Sequence, residues 1–279
     1  MVETIAKYVL LIVGAYLLGG VMFAKLLAKS KNKSNDITTE GSGNPGTMNM
    51  LRNHGVIFGV LTLILDALKG VIPALIGYFM FGGADGGVIA RMAIYIGGFF
   101  AVLGHIYPVY YGFKGGKGVA TSIGFAFVAH PIVGLILLGV YLVLFLAIRI
   151  GSLCSLICVF AYVITDTVML VIEKNYFGLV LLYMIGILVF FAHRSNIKRL
   201  INNKENVIDL KAVTQKDADL INNIKQKHNE KVKERKSKTT KEKVEEKTVE
   251  EKEVNEIEVV EEVVETKPAT KKSTKKTTK

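Results

Sequence analysis

Residues 112–122 read GFKGGKGVATS, with four glycines, two lysines and no acid, set between oily runs. Gly115, Gly116 and Gly118 let a backbone approach a ligand closely. Lys117 adds a point charge beside the free N–H groups of the helix that follows. That combination suits an anion. A nucleotide does not follow, because G-x-x-x-x-G-K-[ST] would place glycine at Tyr111 and a hydroxyl at Gly118. A glycine hinge with lysines reaching toward the membrane surface explains the same stretch without a ligand.

Three other polar stretches interrupt apolar sequence. In GSGNPGTMNMLRNHG, residues 41–55, Ser42, Asn44 and Asn49 can bond a ligand or cap a helix, and the planar fork of Arg52 suits phosphate. In RIGSLCS, Ser152 and Ser155 share one helical face; capping by Ser152 is its simplest use, whereas Ser155 lies one turn inside. In HRSNIKR, His193, Asn196 and Arg199 repeat at intervals of three, so a continuing helix projects them together. His193 is then a candidate to position or deprotonate a hydroxyl, or an interfacial polar residue. His105 reads equally as a buried hydrogen-bonding group, and His54, His130 and His228 have no comparable company. Asp66 and Lys69 sit in an apolar run, where an ionised side chain costs roughly 2.5–3.5 kcal/mol; spaced i,i+3, they read first as a structural pair.

The elements that must hold these residues are membrane helices. The chain has 279 residues, 51% hydrophobic, with mean hydropathy +0.38, yet carries a net charge of +11. Apolar runs fill it to about Ala192, and each crossing needs about 20 apolar residues. The pattern predicts an all-α membrane protein with seven transmembrane helices, near Ile5–Ala28, Val56–Met80, Val88–Ile106, Val119–His130, Ile132–Ile148, Leu153–Ile172 and Tyr176–Ala192. The first is too long for a signal peptide and reads as a retained span. The fourth is the shortest, loosened by Gly118 and Gly124 and ended by Pro131. Basic residues collect in alternate connections: Lys29, Lys31, Lys33 and Arg52; Lys114 and Lys117; Arg149; and Arg194, Lys198 and Arg199. This places the N-terminus outside and the C-terminus, with all four polar stretches, in the cytoplasm. Those stretches are expected to converge on one site.

Residues 1–205 read as the membrane domain and 206–279 as a Lys/Glu-rich disordered tail whose lysines can touch anionic lipid. Val244, Val249 and Val254 fit no helical stripe, and Ile257, Val260 and Val264 hint at one amphipathic turn. Cys154 and Cys158 read as small packing residues.

The segments GSGNPGTMNMLR, LDALKG, GHIYPVYYGFKGGKGVAT, SLCS and HRSNIKRL…E, in this order and spacing, resemble the bacterial PlsY family over about residues 5–205. That family comprises membrane glycerol-3-phosphate acyltransferases that take their acyl group from acyl phosphate. The chain departs from it at Thr47 and Met48, where the family has Ala-Thr, and at Asn203, where it favours glycine. Asn tolerates a left-handed backbone better than most residues. The resemblance implies a site at the cytoplasmic face of a bacterial plasma membrane. By it His193, Asn196, Lys117 and Ser155 serve catalysis, and Ser42, Asn44, Asn49, Arg52, Gly115, Gly116, Gly118, Thr121 and Arg199 bind substrate or phosphate. The implied partners are acyl phosphate, glycerol 3-phosphate, membrane lipid and a soluble enzyme that forms acyl phosphate. No cofactor, metal or nucleic acid is expected.

The implied chemistry is direct attack of a glycerol hydroxyl on the acyl carbonyl, with no acyl-enzyme. None of the five histidines has an aspartate five positions later, the common arrangement in CoA-dependent acyltransferases. A transporter for phosphorylated solutes also suits basic loops and broken spans, but needs access from both sides. A scaffold with a basic tail leaves the four motifs unexplained.

Overall fold

A computed structural model describes residues 1–233 and 235. These residues form helices and connecting segments without strands. The chain divides into two units, Met1–Ala218 and Asp219–Lys279. In the second, the described residues 219–233 and 235 are helical; the predicted valine spacing and the amphipathic turn after 250 lie outside the described residues.

The first unit contains α1 (Val2–Gly19), α2 (Phe23–Lys31), α3 (Thr47–His54), α4 (Val56–Met80) and α5 (Gly87–Ile106). After a short 3-10 turn at Val109–Tyr111 come α6 (Val119–Ala129), α7 (Pro131–Ile148), α8 (Gly151–Ile172), α9 (Tyr176–Ala192) and α10 (Arg194–Ile201). Helix α5 is central and packs against α1, α4, α6 and α9.

Reciprocal glycine contacts set the closest crossings. A Cβ on Gly70 would lie 2.0 Å from the Thr121 carbonyl oxygen, and one on Gly124 would lie 1.9 Å from that of Ala67, so α4 and α6 touch backbone to backbone. Gly77 and Gly97 do the same for α4 and α5, against Ala93 and Pro73. Gly19 and Gly104 do it for α1 and α5, against Ala101 and Tyr16. Small residues are what let helices approach this closely in lipid, where burial of apolar side chains gives no advantage.

The expected count of seven full crossings is not met by length. Among the described residues, five helical stretches are long and apolar enough, or six if α9 and α10, bent by 56°, form one span. Helix α6 has 11 residues, about 16 Å of rise against a core of about 30 Å. The first expected span is also broken, between Gly19 and Phe23. Helix α7 buries only Gly134 and turns Ile132, Leu135 and Val143 outward, a surface suited to lipid.

His130 does have company. Its Nδ1 pairs with Asp166 at 2.5 Å and its Nε2 lies 3.3 Å from Glu173; Tyr95 donates to Asp166 at 2.7 Å, and Arg91 pairs with Glu173. This network joins the N-terminal part of α5 to the C-terminal ends of α6 and α8. His54 likewise lies 2.8 Å from Glu40. Neither pairing has a local sequence signal, since the partners are far apart in the chain or on a connecting loop.

The folded unit also runs beyond the expected boundary at 205. Ile208 and Val213 are buried, and the chain is helical from residue 210. Residues 210–233 and 235 are therefore helical where disorder was expected; residues 234 and 236–279 lie outside the described residues.

Candidate active site

The four polar stretches line one cavity of about 410 Å³. Ser42, Asn44, Asn49, Arg52, Lys117, Gly118, Ser155, His193 and Asn196 all contribute to its wall. Gly115, Gly116, Thr121 and Arg199 do not. A Cβ on Gly116 would lie 2.1 Å from His105 Nε2, and one on Gly115 would lie 2.1 Å from the His105 carbonyl oxygen. These glycines therefore admit the end of α5, not a ligand. Thr121 is fully buried at the α4–α6 crossing, its hydroxyl without a hydrogen-bond partner.

Three helices begin at the cavity: Gly46–Met48 at α3, Gly118–Ala120 at α6, and Gly151–Ser152 at α8. The unsatisfied N–H groups of a first turn carry partial positive charge, so the convergence favours an anion before any side chain is considered. Gly118 makes the entry to α6 with φ of +82°, a conformation that glycine adopts freely. Two cations join the helix ends. Burial pushes the Lys117 ammonium down to about 8, with Arg199 and Arg52 acting in the same direction against Glu205. Burial likewise holds Arg52 below its ordinary range, and its Nε is buried without a protein hydrogen-bond partner.

Several predicted residues are already engaged. Asn49 accepts from the Ser42 amide at 3.0 Å and from Asn53 at 3.1 Å, and donates to the carbonyls of Ile37 and Glu40. It fixes the loop that carries Ser42. Ser155 donates its proton to the Gly151 carbonyl at 2.7 Å. Ser152, expected as a cap, is not one: α8 has Ile150 at the N-cap position, and the Ser152 hydroxyl is buried in the cavity wall. Met48 also lines the cavity, its methyl group 2.4 Å from where a Gly151 Cβ would stand and its sulfur 3.5 Å from the Tyr141 hydroxyl. Its length is accommodated by the absence of a side chain at 151.

At the far wall, His193 closes α9 and Asn196 projects from α10. Glu205 is a site residue to which the sequence reading gave no role. It accepts from Asn196 Nδ2 and Arg199 Nε, both at 2.8 Å. Burial acts to raise its pKa, but the bonds from Arg199 and Asn196 outweigh this and hold it below the usual carboxylate range. Asn203, with φ of +54°, makes the left-handed turn that brings Glu205 back onto α10. Lys69 Nζ lies 2.7 Å from Asp66 and 3.4 Å from His105 Nδ1, so the intramembrane pair belongs to a buried triad of which Asp66 and His105 line the cavity. An apolar groove makes up much of the remaining wall: Val60 and Leu63 of α4, Ile123 of α6, and Leu138, Leu142 and Phe145 of α7.

A cationic mouth on an oily groove fits a phosphorylated molecule with a hydrocarbon tail. The glycerol-3-phosphate acyltransferase family matches residues 9–203. This chain belongs to that family. A glycerol-3-phosphate acyltransferase of Aquifex aeolicus is 40% identical over 202 residues, covering 71% of this chain and 98% of its own. One from Clostridioides difficile is 35% identical over 207 residues, covering 74% and 98%. Crystal structures of PlsY (YgiH), an integral membrane glycerol 3-phosphate acyltransferase, superpose with TM-scores of 0.63 for its glycerol 3-phosphate form and 0.61 for its lysophosphatidic acid form. Each is 38% identical and covers 74% of this chain and 98% of its own. With these relatives and its apolar helices, the chain is a multi-pass membrane protein of the family.

Proposed function

We propose that the chain transfers a fatty acyl group from acyl phosphate to the 1-hydroxyl of glycerol 3-phosphate, giving lysophosphatidic acid and phosphate. One observation carries the reading: three helix N-termini, Arg52 and Lys117 share a single cavity with an apolar groove. Both reactants bring a phosphate to such a mouth, and one also brings an acyl tail to the groove.

The hydroxyl oxygen attacks the acyl carbonyl carbon, and the bond from that carbon to the phosphate oxygen breaks. The hydroxyl proton passes to His193 Nε2 or to the departing phosphate. Lys117, Arg52 and the first-turn amides stabilise charge developing on the leaving group and carbonyl oxygen; losing one such donor commonly costs about 10²–10³ in rate. Asn196, held by Glu205, and His193 orient glycerol 3-phosphate. Acyl phosphate is a mixed anhydride with a good leaving group, so an acyl-enzyme is unnecessary.

The enzyme works in a bacterial plasma membrane, N-terminus outside and cavity cytoplasmic, with α6 and α9 completing seven membrane helices. A soluble acyl-phosphate-forming enzyme supplies the donor. Purified protein in lipid, given palmitoyl phosphate and glycerol 3-phosphate, is expected to release phosphate and lysophosphatidic acid in equal amounts. Uptake of solute into sealed vesicles without either product would instead favour a transporter.

A further inference from the structure

The segment following Glu205 lies past the end of the family match at residue 203, yet it is tied to three walls of the cavity. Beginning at Glu205, it is anchored to α10 through Asn196 and Arg199. The Ile208 amide then donates to the Arg149 carbonyl at 2.9 Å, fixing the segment to the link between α7 and α8. Asp209 starts a helix by accepting from the amides of Lys211 and Ala212 at 3.0 and 3.2 Å. Asn206 and Leu210 line the cavity, while Ile208 and Val213 are 1% and 2% exposed. A solvated tail would bury neither.

The far anchor is the junction of α3 and α4. Lys216 Nζ donates to the Arg52 carbonyl at 2.6 Å and lies 3.4 Å from that of Asn53, at the negative end of α3. Asp217 accepts from the Val56 amide at 2.7 Å and from the Ile57 amide at 3.3 Å, at the positive start of α4. The residue at the N-cap position of α4 is Gly55, which has no side chain to cap with. Its φ of +98° favours glycine, and a Cβ there would stand 2.5 Å from Asp217. A consecutive Lys-Asp pair thus satisfies the end of one helix and the start of the next, and Arg52 sits in the last turn of the first.

We infer that residues 206–218 are a positioning strap of the active site: Lys216 and Asp217 act through the α3–α4 junction to hold Arg52 at the cavity. This rests on the acyltransferase reading above and adds a part that the family match does not contain. The strap residues touch no reacting atom; they act through Arg52.

The test uses the full chain in lipid nanodiscs with palmitoyl phosphate and glycerol 3-phosphate. Deleting 219–279 is expected to leave kcat and KM within about twofold, because the strap stays whole. Asp217→Ala and Lys216→Ala are each expected to raise KM for at least one phosphorylated substrate about 5–10-fold, with kcat changed less. Asp217→Asn keeps a carbonyl acceptor and is expected to stay within about twofold of the parent. In an Arg52→Lys background, Asp217→Ala is expected to add less than about twofold, because both changes act on one group. If Asp217→Ala does not fold, Lys216→Met carries the same comparison.

Unchanged KM values in these variants of an active enzyme would overturn the strap alone. So would an equal KM rise in the Arg52→Lys background, which marks general loosening of the fold. A full chain that neither turns over nor binds inorganic phosphate by calorimetry would overturn the acyltransferase reading, and the strap with it.

Discussion

The Nδ1 atom of His193 lies 2.8 Å from the carbonyl oxygen of Val189, one turn earlier on α9. A carbonyl accepts only, so Nδ1 carries the proton and Nε2 is left with a lone pair at the cavity wall. The Val189 carbonyl therefore fixes both the tautomer and the direction of the ring.

His193→Gln tests what that lone pair does. If Nε2 takes the hydroxyl proton, kcat falls about 10²–10⁴-fold with little change in KM. A loss below about tenfold assigns the proton to the departing phosphate. Steady-state kinetics at saturating palmitoyl phosphate separate the two.

Lys117 gives activity and stability opposite pH dependences. Its folded value of about 8 lies below the ordinary lysine value of 10.5. Above pH 8 the free enzyme loses the Lys117 cation, so if Lys117 receives phosphate as proposed, kcat/KM is expected to fall about tenfold per unit. Stability moves the other way: between 8 and 10.5 the unfolded chain holds the proton that the folded chain has released, so stability rises with pH. Lys117→Met is expected to cost about 10²-fold or more in rate without lowering Tm.

Glu205→Gln removes the charge that Asn196 and Arg199 share. One oxygen remains as acceptor, but the amide nitrogen cannot accept from the second donor. The expected result is a KM for glycerol 3-phosphate raised about tenfold and a Tm lowered by about 2–4 °C, the effect of losing roughly 1 kcal/mol in a domain of this size. Glycerol 3-phosphate titrations and thermal unfolding in detergent check both.

Gly70→Ala places a methyl group 2.0 Å from the Thr121 carbonyl oxygen, an atom of backbone that cannot rotate aside. Prying α4 from α6 is expected to cost about 1–3 kcal/mol or more, read as a lower Tm. Gly139→Ala is the control: nothing lies within 4 Å of its added carbon, and Tm should not fall.

The polar stretches at the cavity were legible because a donor or cation in oily sequence is costly unless it has a purpose, and four such stretches stood out against long apolar runs. Left-handed Asn203 was legible for a local reason, since few other side chains tolerate that backbone. Asn49 and Gly116 show where such reading stops. An amide facing a ligand and one holding a loop look alike in sequence, and so do a glycine beside phosphate and a glycine beside His105. The network of His130 with Asp166 was hidden because its members are 36 residues apart. The strap was hidden by its composition: Lys216 and Asp217 open a charged stretch that in isolation has too little apolar surface to fold. Its helix is paid for by partners near residue 55.

Helices α1, α4, α5 and α6 are interlocked by main-chain contact, so none can slide without breaking a seam. Helix α7 buries a single residue, Gly134, against the backbone of Phe127 on α6, and its inner face supplies Leu138, Leu142 and Phe145 to the groove. A hydrocarbon tail lying in the groove would thus be parted from the bilayer on that side by the thickness of one helix.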